Sequence, residues 1–378
     1  MSAINHVIYM QKGTHMHSSS LVSSPQVDVA VIGAGGAGLA TAYWLERLGL
    51  EGAVLESSDS PGGSWPAYYN SLRLFSPRRW SALPGLNFPG DQNLYPSRDE
   101  VVDYLTAYSR RLSTPILTGR RAHSVSHIQG GFEVEMANGG RVQARQIVVA
   151  TGGFSTPNWP DISNASEFGG RSIHSATYRA PQSYAGQRIA VVGGGNTAIQ
   201  IAVELTDYAD VVLLTRKPLR YLPQTWAGRD LHDWLNITGL DHTRLLSGAG
   251  VPIIDDGRYR RAVAEGRPLV LPMFDRFDHD GLVWNSGAKR QVDTVIYATG
   301  YRPGVDFLAD LSGALSAEGL PNQREGVASR VPGLYFVGLP LQKSFASATL
   351  RGFGRDAKWI TQVMLKDRVK SRSAPSRD

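Results

Sequence analysis

One short grammar occurs twice in this chain. The apolar run Val27-Asp28-Val29-Ala30-Val31-Ile32 enters Gly33-Ala34-Gly35-Gly36-Ala37-Gly38, and a helical stretch, Leu39–Leu48, then stops at Gly49. Far downstream, Gln187–Val192 enters Gly193-Gly194-Gly195-Asn196-Thr197-Ala198, and a helix follows to about Tyr208. Strand, G-x-G-x-x-(G/A), helix is a tightly constrained unit. The first glycine (Gly33, Gly193) permits the sharp turn, the second (Gly35, Gly195) lets backbone approach a pyrophosphate, and the third small residue (Gly38, Ala198) lets helix and strand pack closely. The helix N-terminus then offers free N–H groups and positive dipole to phosphate oxygens. Asn196 and Thr197 lie in the second loop, ahead of a helix expected from Ala198, and are counted with its cofactor-binding residues. The chain is therefore expected to be α/β, with two Rossmann-like dinucleotide-binding domains.

The residues just beyond each unit separate the two ligands. After the first, Gly52-Ala53-Val54-Leu55-Glu56 reads as a second strand ending in an acid, and the Glu56 carboxylate can accept from ribose hydroxyls. After the second, Asp210–Thr215 ends in Thr215-Arg216-Lys217. No carboxylate is available there, and two cations suit a 2′-phosphate, which predicts NADPH over NADH with Arg216 as the main contact and Lys217 beside it.

The intervening sequence fills out this frame. Ser97 caps a helix begun by Asp99 and Glu100, and Val101–Leu112 continues it. Ala122–Ile128, Phe132–Ala137 and Arg141–Ala144 alternate as strands joined by glycine turns. Gln146–Gly153 is a buried strand ending in Ala150-Thr151-Gly152, an ending repeated in Val292–Tyr301 as Ala298-Thr299-Gly300. Residues 219–292 are hard to read, with Trp226, Trp234 and Trp284 scattered and Gly281 suggesting a hairpin.

The 378 residues contain no cysteine, which excludes disulfides, thiolate metal sites and a redox dithiol. At 42% hydrophobic and 19% charged, the chain can bury a sizeable core. It has no apolar run long enough for a spanning helix. The net charge of +6 comes partly from Lys366, Arg368, Lys370, Arg372 and Arg377, and a basic patch with interleaved aromatics, as nucleic-acid binding needs, is missing. Met1–Gln26 lacks the basic start and apolar core of a signal peptide, and His15 and His17 are too few ligands for a metal site.

Between the two glycine loops lies Phe168-Gly169-Gly170-Arg171-Ser172-Ile173-His174-Ser175-Ala176-Thr177-Tyr178. Read as F-x-G-x-x-x-H-x-x-x-Y, it resembles the identifying sequence of the class B flavin-dependent monooxygenases. The resemblance covers residues 27 to about 365. It implies a first FAD-binding part over 27–155, an inserted NADPH-binding domain over 156–292, and a return to the FAD domain over 293–365, with a flexible leader (1–26) and basic tail (366–378) outside. It also implies a cytoplasmic enzyme, monomer or homodimer, that reduces FAD with NADPH, forms a C4a-(hydro)peroxyflavin with O2, and oxygenates a soft nucleophile in a small substrate.

The resemblance carries further residues. Pro61-Gly62-Gly63-Ser64-Trp65 is similar to a G-G-x-W segment along the flavin, where Gly63 permits close approach and Trp65 stacks or packs in the core. Ser76, in Tyr69–Pro77, stands where the family often has an Asn that hydrogen-bonds the oxygenated flavin; the other reading is a turn before Pro77. His174 is either catalytic or a structural hydrogen-bonding residue. Gly338 ends the last strand, the closing helix starts near Ala346, and Phe345 lines the pocket above the ring. Tyr178-Arg179, where the Baeyer–Villiger branch has Trp-Pro, points to heteroatom oxidation. The stretch Phe336–Gly352 is similar to small bacterial monooxygenases of arsenic-resistance operons, which makes trivalent arsenic one candidate beside organic nitrogen or sulfur. Two other classes stay open: an NADPH oxidase or flavin reductase that releases peroxide, and a redox-sensing flavoprotein without turnover.

Overall fold

A computed structural model describes residues 26–243 and 252–373. The leader expected before Gln26, with His15 and His17, lies outside the described residues. Along the chain the principal strands are β1 (Gln26–Ile32), β2 (Gly52–Leu55), β3 (Ile116–Leu117), β4 (Ala122–Ile128), β5 (Gly131–Met136), β6 (Arg141–Val149), β7 (Thr156–Pro157), β8 (Arg171–His174), β9 (Arg188–Val192), β10 (Asp210–Thr215), β11 (Leu269–Pro272), β12 (Thr294–Tyr297), β13 (Tyr301–Arg302) and β14 (Leu334–Phe336). The helices are α1 (Gly36–Arg47), α2 (Arg98–Ser109), α3 (Asn196–Leu205), α4 (Leu231–Ile237), α5 (Arg258–Ala264) and α6 (Leu350–Ser373).

The strands form two parallel-cored sheets. In the first, β14, β6, β1, β2 and β3 run parallel in that order. Its central strands are Val- and Ile-rich because both faces are covered. Helices α1, α2 and α6 lie over one face, around Leu39, Leu45, Leu105 and Ile360. The β4–β5 hairpin and the residues around Leu308 cover the other. The last strand of the expected three-stranded meander and the following buried strand are one element. Strand β6 pairs antiparallel with β5 over Arg141–Ala144 and parallel with β1 from Gln143 to Val149.

The second sheet is parallel throughout, in the order β11-β10-β9-β12-β8. Strand β12 therefore belongs here, between β9 and β8, although the sequence pattern places the return to the flavin domain at residue 293. Its Thr-Val-Ile-Tyr run is wholly buried, and such a run fits any parallel sheet; only pairing decides which one. The chain returns just after Gly300. There β13 pairs antiparallel with β7, so the outgoing and returning chains form a two-stranded ribbon between the domains.

Two further expectations shift. The closing helix starts at Leu350 rather than near Ala346. It also runs on into the segment expected to be a free basic tail, where Arg368 clasps Asp28 at 2.7 and 2.8 Å. Charge composition alone cannot register a partner 340 positions away. The capping box of α2 is present: Ser97 Oγ accepts from the Glu100 N–H at 3.3 Å, and Glu100 Oε2 accepts from the Ser97 N–H at 2.8 Å. Among the described residues no helix is long and apolar enough to cross a membrane.

Candidate active site

The first glycine loop is a close-packed cradle. Gly33 has φ +106°, and a Cβ there would lie 2.8 Å from the Ala150 carbonyl oxygen. A Cβ on Gly38 would lie 1.8 Å from the Gly33 carbonyl oxygen, so helix and strand touch backbone to backbone. Gly35 ends its extended segment at the N-cap of α1 and faces Gly63. A Cβ on Gly63, at φ +60°, would meet Gly35 Cα at 2.9 Å, and the Gly62 N–H donates to the Ala34 carbonyl at 3.0 Å. The Gly62-Gly63 turn thus lies directly on the loop. Trp65 is half-buried, packs against the α1–α6 core and meets Tyr68 edge-on at 5.4 Å.

Glu56 is buried at the end of β2. Its Oε2 accepts from the Ala34 N–H at 2.6 Å and its Oε1 from the Ser58 N–H at 2.9 Å. Oε1 also accepts from the Ser57 hydroxyl at 3.2 Å, so the carboxylate is locked at the rim of the cradle, and Oε2 keeps a lone-pair site for a ribose hydroxyl. Gly338, φ +91°, abuts Ala37, and the α6 side chains Leu350 and Phe353 abut Gly36. Thr151 Oγ1 reaches the Gly304 carbonyl at 3.4 Å, and Gly152, φ +73°, has open space where a Cβ would be. Phe345 is half-buried, with its N–H on the Thr243 carbonyl at 2.9 Å. The residues present fit a bound dinucleotide.

The second loop repeats the geometry. A Cβ on Gly193 would lie 2.4 Å from the Ala298 carbonyl oxygen, while Gly195 faces open space at the N-cap of α3. Asn196 is committed elsewhere. Its Oδ1 accepts from the Ile254 N–H at 2.9 Å and its Nδ2 donates to the Pro252 carbonyl at 3.2 Å. Thr197 is half-buried beside it. Arg216 and Lys217 are both exposed at the end of β10 and form no ion pair among the described residues. Thr299 Oγ1 donates to the Asn158 carbonyl at 2.6 Å, and Gly300 accepts from the Asn158 N–H at 3.0 Å, which stitches the ribbon.

The signature residues form a seam rather than a reacting group. The Phe168 ring stacks on Phe277 at 5.0 Å, and a Cβ on Gly170 would collide with that Phe168 ring. Tyr178 is fully buried and donates to Glu204 Oε2 on α3 at 2.8 Å. Tyr69, from the flavin side, hydrogen-bonds Gln200 one turn earlier on the same helix. Burial, then the Glu204 carboxylate, raises Tyr178 well above the usual phenol range, so it stays a donor.

His174 is similarly spent. Its Nδ1 accepts from the Ala176 N–H at 3.1 Å, which leaves the proton on Nε2, 3.1 Å from the Gly300 carbonyl. Trp159 and Tyr301 close around the ring at 5.7 and 5.0 Å. Burial holds its pKa below the ordinary value against the Gly300 hydrogen bond. With both nitrogens engaged, His174 has no free site to exchange a proton with a reactant. A folded pKa below the unfolded one means that the contribution of His174 is complete above about pH 6.5 and is lost as pH falls through the folded value. The difference in melting temperature between wild type and His174→Gln should therefore narrow from about pH 8 to about pH 5. Parallel melts across that range check it.

Ser76 is also committed. The Ser81 hydroxyl reaches the carbonyls of Ser76 (3.1 Å) and Pro77 (3.0 Å), and so accepts from Ser76 Oγ at 2.9 Å. The expected hydroxyl donor is turned toward its own loop. The residues that sequence patterns passed over lie in the segment 224–243. Asp230, His232 and Asp233 form a polar knot with Arg79, Trp80 and Tyr95 of the flavin domain. An acid–x–His–acid run opening a short helix was the available signal.

The fold and both cradles match known proteins. Residues 30–233 match the family model described as pyridine nucleotide-disulphide oxidoreductase. The oxidoreductase CzcO of Bacillus subtilis is 33% identical over 89% of this chain and 99% of its own. The flavin-containing monooxygenase from Stenotrophomonas maltophilia is 32% identical, with TM-score 0.81, over 90% of this chain and 99% of that one. The rice indole-3-pyruvate monooxygenase YUCCA1 is 28% identical over 91% of this chain and 93% of its own. The chain belongs to the pyridine nucleotide oxidoreductase family. Within it, this is a flavin-monooxygenase-like oxidoreductase that works with FAD, NADPH and O2; the disulphide chemistry in the family's description has no counterpart in a chain with 0 cysteines.

Proposed function

We propose that the chain transfers one oxygen atom of O2 to a soft nucleophile in a small substrate, using NADPH as the reductant. The supporting observation is the pairing of two glycine cradles joined through one seam, with no thiol to carry electrons onward. Bound FAD would supply the redox chemistry and the reaction with O2. The chain's own residues bind and orient. The α1 N-terminus and Gly33–Gly38 hold one pyrophosphate, and Glu56 holds its ribose. Gly193–Ala198 and the α3 N-terminus hold the other. Arg216 and Lys217, exposed at the end of β10, take the 2′-phosphate. Tyr69, Tyr178 and His174 keep the domains in register, so that hydride donor and acceptor meet.

The test is substrate-stimulated NADPH oxidation under 18O2, with the label sought in product. Amines, sulfides, arsenite and a 2-oxo acid such as indole-3-pyruvate form the substrate panel, the last because the plant relative is named for it. Peroxide released stoichiometrically with every substrate would establish the oxidase alternative instead. A flavin that NADPH does not bleach would overturn the assignment of the second cradle.

Charge-assisted hydrogen bonds contribute about 1.5–3 kcal/mol. Replacing both Arg216 and Lys217 by Ala should therefore raise the KM for NADPH roughly 10- to 100-fold. The KM for NADH should stay within about twofold, because NADH lacks the phosphate they meet. Initial rates with the two cofactors check this.

A further inference from the structure

A row of aromatic rings crosses the seam between the two cradles. It starts at Trp65, in the turn whose Gly63 lies on Gly35 of the first loop. Trp65 meets Tyr68 at 5.4 Å, and Tyr69 is the next residue in the chain. Tyr69 meets Tyr178 at 6.0 Å, and Tyr178 meets Tyr184 at 5.6 Å. The row therefore leaves the flavin side and ends in the core of the NADPH domain, where Tyr69, Tyr178 and Tyr184 are 4%, 0% and 4% exposed. Packing accounts for the buried rings. It does not account for what their hydroxyls bind.

The hydroxyl partners differ along the row. The Ser64 hydroxyl donates to Tyr68 Oη at 3.0 Å. The Tyr69 hydroxyl donates to the side-chain carbonyl of Gln200. Within the row only Tyr178 donates to a carboxylate, Glu204 Oε2 at 2.8 Å, and Glu204 is half-buried on α3. The distinction matters for one-electron chemistry. A phenol that has lost an electron is a strong acid, and the electron vacancy settles where a base takes the proton. An amide carbonyl is no such base; a carboxylate is. A vacancy that enters the row at Trp65 therefore passes from ring to ring and comes to rest at Tyr178. With 0 cysteines, tyrosine, tryptophan and methionine are the most easily oxidised side chains in this chain.

We propose that Tyr178, with Glu204 as its proton acceptor, is a redox-active tyrosine that quenches one-electron oxidants arising where reduced flavin meets O2. The proposal uses only FAD, NADPH and O2, so it holds whether oxygen enters a substrate or leaves as peroxide. Peroxide that takes one electron from reduced flavin splits into hydroxide and a hydroxyl radical. That radical takes an electron from the nearest ring and becomes a second hydroxide. The vacancy moves along the row, Tyr178 gives its phenolic proton to Glu204, and a neutral phenoxyl radical remains. Full burial shields that radical from the O2 and water that would fix it as a hydroxylated residue. A soluble one-electron donor of the ascorbate class returns the electron, and Glu204 returns the proton. The sum balances: peroxide, one electron from flavin, one from the donor and two protons from solvent give two waters.

The experiment uses the FAD-loaded full chain as wild type, Tyr178→Phe and Glu204→Gln; the second variant keeps an acceptor for the hydrogen bond but no base for the proton. Blue light makes the oxidised flavin itself the one-electron oxidant, and O2 carries the electron off as superoxide. Samples frozen under illumination are read by electron paramagnetic resonance. Wild type should show a tyrosyl signal that narrows when the protein is made with ring-deuterated tyrosine, and ascorbate should erase it. Both variants should lose the signal, with a thermal melt confirming that each is folded. A signal unchanged in either folded variant would overturn the proposal. So would two results that need no variant: a wild-type signal that responds to deuterated tryptophan instead, or no radical at all. The protective role has its own readout in peptide mass spectrometry after NADPH oxidation without substrate. Hydroxylated Trp65 and Tyr68 should rise per NADPH consumed in both variants, and counts equal to wild type would overturn that role.

Discussion

Gly38→Ala should yield protein that retains no flavin and does not hold its native fold. The added Cβ would sit 1.8 Å from the Gly33 carbonyl oxygen and 2.9 Å from its carbon. Neither neighbour is a side-chain end that can swing aside. Relief requires α1 to move away from β1, and Ala37 and Leu39 on that helix are 4% and 0% exposed in the core of the domain. Overpacking against rigid backbone belongs to the severe class of substitutions, on the order of 4 kcal/mol or more. Gly35→Ala is the control. Its Cβ would find Gly63 Cα at 3.7 Å, an ordinary contact, so the fold should survive and any flavin loss reports the pyrophosphate contact alone. Visible flavin absorbance after purification, together with a thermal melt of each variant, separates the two.

Asp241→Ala should be nearly as damaging, at the other end of the site. Arg351 and Asp241 are 6% and 10% exposed in their side chains and meet through contacts of 2.9, 2.9 and 3.1 Å. Arg351 stands in the first turn of α6, where the helix dipole disfavours a cation, so Asp241 is its main compensation. Deleting one partner of a buried pair leaves an uncompensated charge and costs about 3–5 kcal/mol. The melting temperature should fall by roughly 5–10 °C. The neighbouring contact between the Phe345 N–H and the Thr243 carbonyl should also loosen. Removing both charges together, as Asp241→Leu with Arg351→Met, should be far milder than Asp241→Ala, because no buried charge is then left alone. Melts of the singles and the double form the cycle; a double as unstable as Asp241→Ala would show that the pair does not act through charge compensation.

Both predictions concern contacts that sequence spacing does not carry. Gly38 is readable as the third glycine of a motif, yet the reason it tolerates no methyl is a carbonyl five residues back, brought near by the turn. Arg351 and Asp241 are separated by 110 positions. The same divide runs through the site. Glu56, the small residues of both cradles and the exposed Arg216 and Lys217 are legible because they lie at set offsets within one strand–loop–helix unit. Asn196 sits at such an offset too, and the spacing misleads there: Ile254 and Pro252 claim its amide. For Ser76 and His174 the sequence leaves a catalytic and a structural reading open, and spacing cannot choose between them. A hydroxyl or an imidazole declares its chemistry in sequence, but whether its proton is already spent depends on Ser81 in the one case and Gly300 in the other.

The sequence by itself determined the class of fold, the number of nucleotide cradles, their order and the sign of charge beside each. All of these obey local steric and electrostatic rules, in which a glycine at a turn or a cation after a strand acts within a few residues. Tertiary structure alone decided that β12 joins the second sheet, that the family signature is a packing seam between domains, and that both ring nitrogens of His174 are engaged. Strand pairing, burial and the satisfaction of hydrogen bonds are settled by partners distant in the chain, and no local pattern encodes which partner arrives first.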